Sequence, residues 1–286
     1  MTDLRFTFLR MLLSLSVVME LMTSGVSAAD PPAKQGEESD DLVRTESKAA
    51  TERAVEEIGK WTFHFEDEKL GTIAAEKDSA LRWAWTDNGR AYGNLFVLSA
   101  QDRPVAIVEF FTWYSPIQGA YFQCTSLTNS PMTAKRSGQE IGQPTKSNVV
   151  MNDLPDAPTP AKTPAARLVQ MRRLAEAFQV EVDDKRATEI TARQLRLMSR
   201  PVHRYGKSEG TVLDGALFSF AVSSDPGAIL VLEVVPTRDG PRWKYGFARV
   251  WSYGARASYD GKRVWEIEEV NPRADMKASF YLNALP

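Results

Sequence analysis

The sequence predicts an α+β fold: a predominantly antiparallel β-sheet protein with two main helices, laid out as two similar helix-plus-meander halves. Three observations predict it. Apolar residues recur at a period of two in successive runs between Trp61 and Ile267, the spacing that gives a strand one face suited to burial. Turn-forming residues separate those runs. Helical apolar spacing shows in two stretches, Ser47 to Lys60 and the segment that begins at Pro164.

With 286 residues, 43% hydrophobic and 25% charged, the chain can bury a real core and is too balanced to be disordered throughout. Its net charge of −2 provides no overall basic field for counterion release, so no nucleic-acid partner is expected.

Residues 1–28 read as a signal peptide. Arg5 and Arg10 make a basic start, Met11 to Met22 is a short apolar run, and Val26-Ser27-Ala28 offers small residues to a peptidase. Spanning a bilayer takes about 20 apolar residues, and Glu20 interrupts this run. Export to the periplasm or beyond is therefore expected, with no membrane span after cleavage. Residues 29–46, rich in charge and proline, read as a flexible leader.

The first half, residues 47–152, opens with a helix from Ser47 to Lys60 that carries Ala50, Ala54, Val55 and Ile58 on one face. Strand runs follow at Trp61 to Phe65, Leu81 to Trp85, Leu95 to Ser99 and Val105 to Tyr114. Asp87-Asn88-Gly89 and Ala100-Gln101-Asp102-Arg103-Pro104 supply the turns. Residues 153–163 hold Pro155, Pro158 and Pro160 among small residues, which blocks helix interior and central strand alike. This is the linker. The second half, 164–286, opens with a helix capped by Thr163 with Pro164 at its first position. Leu168, Met171, Leu174, Ala175 and Phe178 form its buried face, and Arg172-Arg173 its outer one. Strands are expected at Ala216 to Val222, Ala228 to Val235, Trp243 to Trp251 and Val264 to Ile267, with turns at Ser224-Asp225-Pro226-Gly227, Arg238-Asp239-Gly240 and Asp260-Gly261.

The halves share a spacing. Leu95-Phe96 and Leu217-Phe218 are each followed by proline at nine positions (Pro104, Pro226) and Ala-Ile at eleven and twelve (Ala106-Ile107, Ala228-Ile229). An internal duplication and the common needs of similar hairpins both account for it.

Chemistry-bearing residues are sparse. The single cysteine, Cys124, lies in a strand-like run and reads as a small buried hydrophobe. His64 falls on the polar face of its strand. His203 lies between Arg200 and Arg204, whose charges disfavour its protonated form, with no flanking carboxylate in sequence. No nucleophile elbow, Walker A loop or dinucleotide fingerprint is present. Asp214-Gly215-Ala216 reads as a turn, and Glu66-Asp67-Glu68 and Glu266 to Glu269 as solvated acidic clusters. Seven tryptophans stand out, Trp61, Trp83, Trp85, Trp113, Trp243, Trp251 and Trp265, and their phase on strands favours burial over stacking on sugars. No catalytic or metal-ligating set is assigned, the binding residues are undetermined, and no cofactor is expected.

Several strings together resemble a family of exported bacterial proteins of unknown function, of the type frequent in planctomycetes. They are Arg103-Pro104-Val105-Ala106, Thr125-Ser126-Leu127, Arg167-Leu168 through Gln170-Met171-Arg172-Arg173-Leu174-Ala175 to Phe178, Arg200-Pro201 with Arg204-Tyr205, Asp214-Gly215-Ala216-Leu217-Phe218, and Arg242-Trp243. The resemblance covers roughly Leu81 to Trp265 and implies export but no activity. Where those proteins carry a Gly-Thr-Asp-Pro-Glu turn, this chain has Ser223-Ser224-Asp225-Pro226-Gly227, which argues against an essential carboxylate after the proline.

The expectation is a non-enzymatic binding or interaction module that recognises a protein or polysaccharide surface outside the cytoplasm. The alternative is a hydrolase or isomerase built from distant carboxylates and arginines, with Glu109, Glu233, Arg204 and Arg249 as candidates because each interrupts a largely apolar strand, where a buried charge needs a partner.

Overall fold

The computed structural model describes residues 34–285 apart from Asn88, Asn148, 186–190, 207–210, Pro272 and Ala274. The expected signal peptide lies outside the described residues. In chain order the elements are α1 (Lys34–Ile58), β1 (Trp61–Phe65), β2 (Ala74–Ala75), β3 (Leu81–Trp85), β4 (Arg90–Ala100), β5 (Arg103–Ser115), β6 (Gly119–Ser126), β7 (Met132–Arg136), β8 (Gln139–Gly142) and β9 (Asn152–Asp153). Then come α2 (Pro164–Glu176), β10 (Phe178–Asp184), β11 (Thr191–Leu197), β12 (His203–Tyr205), β13 (Asp214–Val222), β14 (Asp225–Val235), β15 (Arg242–Arg249), β16 (Ala255–Tyr259), β17 (Lys262–Ile267) and β18 (Phe280–Ala284).

The fold is α+β with antiparallel sheets. A six-stranded sheet runs β18-β6-β5-β4-β2, with β3 also on β4. A nine-stranded sheet runs β17-β16-β10-β11-β13-β14-β15-β9, with β12 also on β13. A small third sheet, β1-β7-β8, takes the first strand run out of the meander predicted for it.

Strand alternation sends every second side chain to the opposite face, and both large sheets bury both faces. Leu95, Val97 and Ile107 of the six-stranded sheet share one core with Leu217, Ile229 and Val231 of the nine-stranded sheet. Their neighbours Phe96, Val108 and Phe110 face the other way and meet α1 and β1, where Trp61 packs edge-on against Phe110 and Phe122 at 5.1 and 4.7 Å between ring centres. On the far face of the nine-stranded sheet, Phe218, Phe220 and Phe247 join Met171, Leu174 and Ala175 of α2. The order of layers is α1 with the small sheet, six strands, nine strands, α2.

Helix α2 begins as predicted, with the Thr163 hydroxyl accepting from the Ala166 N–H and Pro164 at the first position. It ends two residues before Phe178, which is the first residue of β10 and still buried in the same core. Helix α1 departs further from expectation, because it runs back to Lys34 through the segment read as a flexible leader. Local charge pairing (Asp41 with Arg44) supports that extension, and Glu46 is anchored where Arg90 forks onto it at 2.8 and 3.1 Å. Near the other end, burial would raise the Glu57 carboxyl, but hydrogen bonds and charge from Arg136 and Lys60 overcome it and hold the group at about 2.

The two long hairpins are built alike. Leu95 faces Glu109 in β4–β5, and Leu217 faces Val231 in β13–β14. Each register slips at the same place, between Leu98 and Ser99 and between Phe220 and Ala221, with Ser99 facing Pro104 and Ala221 facing Pro226. Strand β2 and the last two residues of β11 pair at that slip. Further along, Trp83 of β3 faces Gly93, and Tyr205 of β12 faces Gly215. Both glycines are obligatory: a Cβ there would stand 2.2 Å from the Trp83 ring and 2.5 Å from the Tyr205 ring. The strand orders of the halves therefore agree, as the shared Leu-Pro-Ala-Ile spacing anticipates.

Each meander is completed by a strand from outside it. β18 pairs with β6, and β9 with β15. The proline-rich segment after β9 is tied to the second half rather than hanging free. Leu154 donates to the Trp243 carbonyl at 3.0 Å, the Trp243 indole N–H donates to Pro158 at 2.9 Å, and the Gln170 amide donates to Thr159 at 3.0 Å.

Candidate functional site

Two clefts open on the seam between the large sheets, and the matching registers make them counterparts. Arg103 and Asp225 are each the first residue after their hairpin turn, facing Ala100 and Val222. Tyr205 and Trp83 are each the aromatic residue opposite glycine. Arg103 and Tyr205 line one cleft; Asp225 and Trp83 line the other.

The first cleft, about 350 Å³, is closed at its floor by charge. Arg103 grips Glu233 in a two-pronged ion pair, Nε to Oε1 at 3.0 Å and Nη2 to Oε2 at 2.9 Å. The Tyr205 hydroxyl donates to Glu233 Oε1 at 2.8 Å. Burial, reinforced by the Glu233 charge, pushes the Tyr205 phenol well above its ordinary range, so it remains a donor. Val105, Leu127, Val149, Met151, Leu217 and Val231 make the apolar walls.

The second cleft, about 130 Å³, is aromatic. Trp83 and Phe111 meet at 5.7 Å between ring centres, Trp251 and Tyr253 at 6.1 Å, and Trp113 also lines the opening. Polar groups gather on one side. The Trp251 indole N–H donates to Asp225 Oδ1 at 3.2 Å, and the Gln123 amide donates to Glu109 Oε2. Glu109 is fully buried, and burial followed by the charge of Asp225 raises its carboxyl well above the usual range. The Trp83 indole lies beside Glu109, enclosed with it, and its hydrogen bond to the carboxyl offsets a little of that rise.

The four charged residues read as a dispersed catalytic set do not converge. Glu233 belongs to the first cleft and Glu109 adjoins the second. Arg204 sits on Asp214 at 3.0 and 2.8 Å, where Arg167 joins it at 2.8 Å and ties α2 to β13. Arg249 donates to the carbonyls of Ser252 and Glu268, and burial lowers it to about 10. Asp214 is thus a buried structural carboxylate at the start of β13, not a turn residue.

His64 is exposed on β1, and Cys124 is buried. His203 does have a carboxylate: Glu76 lies 3.2 Å from its Nδ1. Its affinity for a proton is lowered by burial, against the pull of Glu76, rather than by flanking arginines. Of the tryptophans, Trp61, Trp83, Trp85, Trp243 and Trp251 are buried, while Trp113 and Trp265 are half-buried. Among the described residues no cluster of three histidine, cysteine or acidic side chains is placed to hold a metal, and no helix is long and apolar enough to cross a membrane.

Sequence reasoning missed Tyr205 and Asp225 as cleft residues. The signal available was the glycine two positions before each Leu-Phe pair, which a facing aromatic ring requires. No protein-family profile, curated protein or solved structure matches the chain.

Proposed function

We propose that this protein is an exported, non-enzymatic binding module that seats its ligand in the aromatic cleft between the two large sheets. One observation carries the reading: Trp83, Trp113 and Trp251 converge with Phe111 and Tyr253 on a single opening. Aromatic rings offer a partner large contact area with few torsions to freeze, and binding sites are characteristically apolar surfaces with a few placed polar groups. Here those groups are Asp225 and Gln123. The seat is small, so it fits one side chain or one sugar-sized group of a protein or polysaccharide partner.

Export rests on the basic, apolar and small-residue succession of residues 1–28, and on the resemblance to exported bacterial proteins. Fusing that segment to a reporter active only outside the cytoplasm tests it; a silent reporter would remove export from the reading. The hydrolase or isomerase alternative needs two or more of Glu109, Glu233, Arg204 and Arg249 in one pocket, and nothing in their placement favours it.

Intrinsic tryptophan fluorescence tests the binding reading. A saturable shift on titration with one class among glycans, peptides and organic ions, lost in Trp251→Phe, supports it. Absence of a shift with every class sinks it.

A further inference from the structure

The first cleft has a chemistry of its own. At about 350 Å³ it is large enough for a small molecule, and its walls are aliphatic, with Leu127, Met151 and Leu217 among them. Val150 also lines it and is 74% exposed, apolar surface that a seated ligand would cover.

The uncommitted polar groups of this cleft are donors. Asn129 Oδ1 accepts from the Ser147 N–H at 2.8 Å, the Ser147 hydroxyl accepts from the Val149 N–H at 2.8 Å, and the Thr128 hydroxyl accepts from the Ser130 N–H at 3.1 Å. Asn129, Ser147 and Thr128 line the cleft and are held by their oxygens. The Asn129 amide N–H groups and both hydroxyl hydrogens are thus left without a partner among the described residues. Arg103 follows the same pattern. Its Nε and Nη2 hold Glu233, Nη1 donates to none of the described residues, and 49% of the side chain is exposed. Glu233 is the one carboxylate among the described residues lining the cleft, and Arg103 and the Tyr205 hydroxyl already meet its charge.

We propose that this cleft binds an aliphatic carboxylate. Its oxygens accept from Arg103 Nη1 and from the Asn129, Ser147 and Thr128 donors, and its hydrocarbon lies along the aliphatic walls. A planar guanidinium presents N–H groups on more than one edge and can serve two carboxylates at once. Glu233 fixes one edge of Arg103 and thereby orients the other. The neutral donors share the ligand's charge with Arg103, which offsets its repulsion from Glu233. The site is separate from the aromatic cleft and does not depend on the reading given to that cleft. A free acid and the C-terminal residue of a peptide present the same chemistry.

The test titrates octanoate and acetyl-Gly-Gly-Leu, each beside its neutral amide, into the full chain at neutral pH, by calorimetry with tryptophan emission followed alongside. At least one acid is expected to saturate, the tighter of the two naming the source, with its amide at least about tenfold weaker. No tryptophan lines this cleft, so the emission should not move. The double variant Arg103→Leu, Glu233→Leu strands no charge and should bring acid and amide to equal affinity. If it fails to melt cooperatively, Asn129→Ala, at an exposed position, replaces it and should weaken the acid by roughly threefold. Equal binding of acid and amide to the parent protein overturns the proposal, as does an acid preference that survives in the double variant or an acid affinity unchanged in Asn129→Ala. Silence toward both acids overturns it and leaves the aromatic-cleft reading untouched. A tryptophan shift on titration would put the acid in the aromatic cleft and overturn it as well.

Discussion

Arg103 and Asp225 occupy the same position in the two long hairpins, the first residue after the turn, and carry opposite charge into opposite clefts. The same backbone plan thus produces one cleft that holds the Arg103–Glu233 ion pair and another lined by aromatic rings and Asp225.

The cleft with the ion pair should behave as a clamp between the halves. Glu233 has 2% of its side chain exposed, whereas Arg103 has 49%. Removing Arg103 leaves a buried carboxylate whose remaining partner is the Tyr205 hydroxyl. Breaking a fully buried pair costs about 3–5 kcal/mol, and the solvent exposure of Arg103 brings the expected loss for Arg103→Leu to roughly 2–3 kcal/mol. Urea denaturation should show it. The double variant Arg103→Leu, Glu233→Leu should recover most of the loss, because no charge is then stranded; a double variant as weak as the single would refute the clamp.

Gly93 and Gly215 should tolerate no side chain. Gly93→Ala drives a methyl into the Trp83 ring and Gly215→Ala into the Tyr205 ring, and overpacking of this kind costs about 1–3 kcal/mol each. Thermal melting of the two variants checks this. Alanine at Gly261, where a Cβ would meet nothing within 4 Å, controls for the effect of backbone conformation, since its φ of 76° strains alanine without any clash.

Glu109 should give the protein a falling stability with rising pH. Burial and the Asp225 charge keep its carboxyl protonated in the folded chain well above the ordinary 4.5. The unfolded chain releases that proton near 4.5, so the folded state binds more protons above that pH and loses up to about 1.4 kcal/mol per pH unit until Glu109 itself ionises. Glu109→Gln preserves an oxygen for Gln123 and removes the titration. Melting temperatures from pH 4.5 upward should fall less steeply in the variant than in the parent; parallel curves would show that Glu109 is ionised in the fold.

Cys124 should be silent toward thiol reagents while the protein is folded. Burial pushes its thiol to about 12, only partly offset by Tyr281, and thiolate is the reactive form. Labelling by a disulfide reagent should be absent in buffer and stoichiometric in denaturant; rapid labelling of the native protein would place the cysteine at an accessible site.

Much of this architecture was legible in residue order. Leu81 to Trp85, Val105 to Tyr114 and Ala228 to Val235 announce strands because long paired strands need a side chain buried at every second position. Thr163 and Pro164 announce α2 because capping is a local matter. The buried Cys124 and exposed His64 follow from phase alone.

The sequence gives no comparable warning of β2, β9 and β12, which are two or three residues long. They carry no period of their own and exist because the open edges of β4, β15 and β13 accept them. Helix α1 reaches into the expected leader, and the end of that leader is held where Arg90, on a strand far along the chain, donates to Glu46. Both clefts are likewise products of tertiary structure. Arg103 and Glu233 lie 130 residues apart and meet only when two hairpins of like register pack face to face. Side-chain alternation is set by near neighbours and is written in the sequence; the pairing of two distant charges depends on how whole sheets stack, which only the assembled fold decides.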